Sequence, residues 1–157
     1  MNNEGNQIFY RSSTRLENSR IQAVAVYCSD GQFGKLFDEF MCAGLGLPCY
    51  DRLAIPGGIA GLAHHFSLHG EEEGISAQLQ FLIQTHKLKR VVLIAHEGCA
   101  FYTDRLQIPP LQLESQQIED MKISVKRIQS IGSALLIESF FARKKDNGTI
   151  QFEFIDL

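Results

Sequence analysis

The chain has 157 residues, 45% of them hydrophobic, and a formal net charge of −3. That length and apolar content suit one compact domain with a real core, and an acidic balance without a long Lys/Arg stripe excludes a basic nucleic-acid surface. The longest strand-like apolar run, Val91 to Ala95, falls far short of the roughly 20 residues that span a bilayer. The first twenty residues also lack a signal-type apolar stretch, so a cytoplasmic protein without membrane contact is expected.

Residues 1–20 are polar apart from Ile8, Phe9 and Tyr10 and read as an N-terminal arm, leaving 21–157 as a single domain. From Ile21 the run Ile-Gln-Ala-Val-Ala-Val-Tyr is β-branched and nearly all apolar, the pattern of a strand covered on both faces, and Cys28 follows at its carboxyl end. Phe33, Leu36, Phe37, Phe40 and Met41 then fall at amphipathic helical spacing, ended by Gly44 and Gly46. Pro48 to Ala54 reads as a short strand. Ile55-Pro56-Gly57-Gly58 closes it, where glycine permits a tight turn and close backbone approach.

A short helix is expected through Leu62 and Phe66. A longer one, marked by Ile75, Leu79, Leu82 and Ile83, leads to the uninterrupted strand Val91–Ala95. Pro109-Pro110 breaks the following loop, and Ile118, Met121, Val125 and Ile128 mark a helix whose apolar face packs on the sheet. Ala134 to Ala142, the turn at Asp146-Asn147-Gly148, and the alternation of Ile150, Phe152 and Phe154 with Gln151 and Glu153 give a terminal hairpin. The order predicts an α/β fold: a mostly parallel central sheet flanked by helices, with a C-terminal antiparallel hairpin. Ligands of such sheets gather outside the carboxyl ends of the strands.

Two chemistry-bearing segments fall at those ends. Tyr27-Cys28-Ser29-Asp30 and His96-Glu97-Gly98-Cys99 together offer two sulfurs, one imidazole and one carboxylate, the donor types of a tetrahedral zinc site. Four cysteines without secretory features point to reduced thiols or metal ligands rather than disulfides. Cys42 and Cys49, with no His or Cys at ligand spacing, read as small buried hydrophobes. His64, His65 and His69, beside Glu71, Glu72 and Glu73, read as a surface helix end, and Arg143-Lys144-Lys145 as solvated hairpin charge.

Cys-x-Asp after the first strand, His-x-x-Cys after a later apolar strand and a terminal hairpin resemble the β-class carbonic anhydrases over roughly Ile21 to Leu157. The resemblance implies zinc on Cys28, His96 and Cys99, with Asp30 as gate or fourth ligand. It also implies reversible hydration of carbon dioxide to bicarbonate by zinc-activated water, and a homodimer or larger assembly in which the arm packs on a second subunit. Two departures stand out. Gln32 occupies the place of the family's Arg, which pairs with the Asp, and Ala95 and Ala100 replace the glycines flanking His-x-x-Cys. Neutral Gln32 cannot form an ion pair, so Asp30 is freer to ligate zinc and close a non-catalytic site. Arg52 and Arg105 are the candidate substitute cations.

A different chemistry competes. Cys99 and Arg105 satisfy the Cys-x5-Arg spacing of phosphatases and sulfurtransferases, although the loop lacks glycine and carries Asp104. That reading predicts a lone reactive thiolate and no metal.

Overall fold

The computed structural model describes residues 7–157; the first six residues of the expected arm lie outside them. Residues 7–20 carry no helix or strand and are exposed throughout. Five strands form one sheet in the order β2-β1-β3-β4-β5. They are β1 (Ala23–Cys28), β2 (Asp51–Ile55), β3 (Arg90–His96), β4 (Leu136–Lys144) and β5 (Ile150–Phe154). The first four run parallel, and β5 pairs antiparallel to β4 with Ala142 opposite Phe152.

The helices are α1 (Gly34–Glu39), α2 (Glu71–His86) and α3 (Leu113–Ile131). β1 and β3, buried along their lengths, are nearly all apolar because both faces of the sheet are covered. Val24, Val26, Val91 and Leu93 pack with Leu79 of α2 and with Met121 and Ile128 of α3. Ala23, Ala25, Val92 and Ile94 face the other way, onto Phe33, Phe37 and Met41. The two-residue period of a strand thus splits one apolar run between two cores.

The expected helix over Phe33–Met41 changes character midway: α1 passes into a wider π-type turn, Phe40–Gly44, in which Leu45 N donates to Phe40 O. Two short 3-10 turns, Gly58–Leu62 and Phe66–Leu68, take the place of the expected helix through Leu62 and Phe66. Arg143 is not merely solvated. It pairs with Glu153 of β5 and Glu114 of α3 and lies over the Phe141 ring, fastening the hairpin to the helix layer.

The order of the sheet fixes where a site can form. The chain leaves β1 to one side to make β2, then crosses to the other side to make β3, so the carboxyl ends of β1 and β3 flank the point where the winding reverses. Crevices of open α/β sheets lie there. The Gly57-Gly58 turn closes over this end. Both residues have positive φ, 77° and 53°, and a Cβ added to Gly58 would lie 2.7 Å from Cys28 N.

A side chain at Gly58 would therefore meet backbone that cannot yield. Gly58→Ala is expected to cost about 1–3 kcal/mol from the left-handed backbone alone, more with the clash, measured as a lower urea midpoint. An unchanged midpoint would show that the turn does not press on Cys28.

Candidate metal centre

Cys28 ends β1, His96 ends β3, and Cys99 lies just beyond on the loop that enters the π-type turn Phe101–Arg105. Parallel pairing sets Tyr27 opposite Ile94, so the two strands deliver their terminal side chains to one place. A left-handed Gly98, φ 66°, turns the loop after His96, and Tyr102 N donates to Cys99 O at 3.1 Å to begin the turn. One donor atom from each of Cys28, His96 and Cys99 lies within 4.8 Å of the others, and all three residues are buried.

The two sulfurs are 3.7 Å apart. A disulfide would need about 2.0 Å, whereas two thiolates on one tetrahedral zinc, each at about 2.3 Å, stand about 3.8 Å apart. Both cysteines are free. The shared hydrogen bond drives the two thiols in opposite directions. Cys99 donating to Cys28 lowers the Cys28 thiol to about 4, against the burial that would raise it, and the backbone of Gly57 and Asp30 adds to the lowering. The same bond, with burial, pushes the Cys99 thiol up.

His96 is oriented from two sides. Its Nδ1 makes a 2.9 Å hydrogen bond to Glu97 O, and the Phe33 ring lies 4.3 Å from its own. With Nδ1 donating to a carbonyl, Nε2 carries the lone pair, the arrangement of metal-ligating histidines. Among the described residues Nε2 is buried without a hydrogen-bond partner. Such an orphan costs about 1–3 kcal/mol, which a metal bond removes. Sulfur spacing, tautomer and orphaned nitrogen all fit zinc.

Asp30 stands apart from the three. Its Oδ1 accepts from Gln32 N at 2.9 Å, and among the described residues no cation pairs with it. Gln32 therefore engages Asp30 through its backbone. Arg52 is held by Asp38 at 2.8 Å and lies over Tyr50. Arg105 donates to Ser67 O and to Glu71, so the Cys-x5-Arg segment forms no cradle around Cys99.

Other residues depart from expectation. Cys42, within the π-type turn Phe40–Gly44, is exposed, and Cys49, in the loop before β2, is half-buried. His65 is not a surface residue: its Nε2 lies 2.6 Å from the buried carboxylate of Asp120, which also accepts from Tyr102 OH at 2.7 Å. His64 does remain exposed, beside Arg127 and Glu72. Glu97, unassigned from sequence, ties the ligand loop to β4: its N donates to Ala142 O, and its carboxylate accepts from Lys144 N at 2.7 Å.

The family described as "Putative carbonic anhydrase" matches residues 18–154, and the chain belongs to it. No curated protein sequence matches. Among solved structures, the fold is similar to the β-carbonic anhydrase isoform I of Trichomonas vaginalis, with a TM-score of 0.55, 16% identity, and coverage of 90% of this chain and 87% of that one. It is similar to the β-carbonic anhydrase CcaA to the same TM-score, at 11% identity, covering 88% and 84%. The fold is thus that of a β-carbonic anhydrase, and the Cys-His-Cys cluster is a candidate metal site.

The differing exposures predict a graded thiol reactivity. In the native protein a disulfide reagent such as Ellman's labels Cys42 first, while Cys28 and Cys99 stay protected until denaturant is added. Four equally fast thiols would mean that the cluster is not enclosed.

Proposed function

We propose that the chain is a zinc-dependent lyase that hydrates carbon dioxide reversibly to bicarbonate, with Cys28, His96 and Cys99 holding the metal and Asp30 governing the fourth position. The observation that carries this reading is the buried, unpartnered Nε2 of His96 beside two sulfurs 3.7 Å apart. Family membership supports the reaction class. Zinc bound there supplies a Lewis acid that brings the acidity of water near neutral pH.

The remaining work falls to the chain. Glu97 O fixes the His96 ring, and the Gly57-Gly58 turn presses on the backbone of Cys28. Asp30, tied at Oδ1 by the Gln32 amide, keeps its other oxygen to accept the hydrogen bond of the attacking water and turn its lone pair towards carbon. Carbon dioxide and water give bicarbonate and one proton, which passes to solvent. Without an Arg on Asp30 the carboxylate is less firmly held, and activity is expected to be weak at neutral pH.

The protein works in the cytoplasm as a homodimer or larger assembly. Apolar side chains exposed on the single chain, Phe9 and Tyr10 of the arm and Leu136 and Phe154 at the sheet, support a covered surface. No described helix is long and apolar enough to cross a membrane.

Stopped-flow measurement of carbon dioxide hydration checks the reading. Zinc-loaded protein should exceed the uncatalysed rate, lose that activity on chelation and show none as Cys99→Ser, and Gln32→Arg should raise it several-fold. A folded, zinc-loaded protein inactive even as Gln32→Arg would refute the enzyme and favour a closed, non-catalytic site with Asp30 as fourth ligand.

A further inference from the structure

α3 carries a buried stripe that is polar where covering the sheet asks only for apolar side chains. Gln117, Asp120 and Ser124, at i, i+3 and i+7, are 1%, 1% and 0% exposed. Met121 and Ile128 of the same helix serve the core as apolar residues do. A polar side chain is retained in such a place when it finds a specific partner.

Each of the three finds its partner in a different segment around the metal centre. Gln117 Nε2 donates to His96 O at 3.1 Å, the carbonyl of a ligand residue itself. Asp120 Oδ2 accepts from the hydroxyl of Tyr102, three residues beyond Cys99, and lies 2.6 Å from His65 Nε2. Gln116 Nε2 donates to its other oxygen at 2.9 Å. Ser124 Oγ donates to Ile59 O at 3.2 Å, in the turn whose Gly58 lies against the backbone of Cys28. One face of one helix therefore touches the segments of His96 and Cys99 and the turn that packs on Cys28.

We infer that Gln117, Asp120 and Ser124 form a positioning strip that sets the spacing of the three donor atoms, so that α3 preorganises the metal centre from outside its ligand shell. The inference rests on the zinc reading and goes beyond it, because none of the three side chains ligates. An apolar helix face would cover the sheet equally well but leave three loops free to shift independently. Tethering their backbones to one rigid helix makes the ligand set a single body. Residues that orient metal ligands from behind govern affinity by about 10–100-fold when lost.

Cobalt(II) serves as the probe, since its thiolate charge-transfer band reports both affinity and geometry. The variants are Tyr102→Phe, which removes one hydroxyl and keeps the ring, Gln117→Met, and the pair Asp120→Asn and Asp120→Leu. Tyr102→Phe and Gln117→Met should each weaken cobalt binding by about 10-fold or more and shift the band. Asp120→Asn, which keeps an acceptor for Tyr102, should retain most of the affinity that Asp120→Leu loses.

Thermal melting of the metal-free variants separates positioning from folding. Variants that bind with wild-type affinity and band overturn the inference. So do variants that melt lower without cobalt yet give an unchanged band when loaded, since their role is then only structural. A wild-type protein that binds no cobalt defeats the zinc reading itself, and the inference with it. Failure of the variants alone leaves that reading standing.

Discussion

The parallel pairing of β1 with β3 is the constraint on which everything else depends. It joins two strands that β2 and α2 separate in the chain, setting Tyr27 opposite Ile94, and it brings their carboxyl ends level where the winding of the sheet reverses. A sulfur at the end of one and an imidazole at the end of the other then meet without either strand bending. Both strands are buried on two faces, so a slip of register would move apolar side chains out of both cores at once. The cores hold the register, and the register holds the site.

The loops finish what the strands begin. Glu97 fastens the start of the His-x-x-Cys loop to β4 by its amide and its carboxylate. The Gly57-Gly58 turn approaches Cys28 so closely that only glycine fits. A buried imidazole nitrogen without a partner would be a defect in an ordinary core. Beside two free sulfurs at 3.7 Å it fits the lone pair of a candidate metal ligand.

The strands and the three ligand candidates were legible in sequence because their signals are local. An unbroken β-branched run marks a strand buried on both faces, and a Cys or His directly after it marks a strand end. Gly57-Gly58 was legible as a close approach, though not what it approaches. The π-type turn after α1 was not, since Phe33 to Met41 keeps the same apolar spacing whether Leu45 bonds to Phe40 O or to the residue after it. Cys42 lies exposed within that turn. The polar strip of α3 was also illegible: Gln117, Asp120 and Ser124 in a helix suggest a solvent face, and only the folded loops opposite reveal their partners.

The central claim concerns what sits among Cys28, His96 and Cys99, and X-ray absorption at the zinc edge on purified protein tests it most directly. The account predicts one zinc per chain with two sulfur neighbours at about 2.3 Å, one imidazole nitrogen at about 2.0 Å and a fourth, oxygen neighbour. Folded protein without zinc, or zinc lacking the two sulfurs, would contradict it.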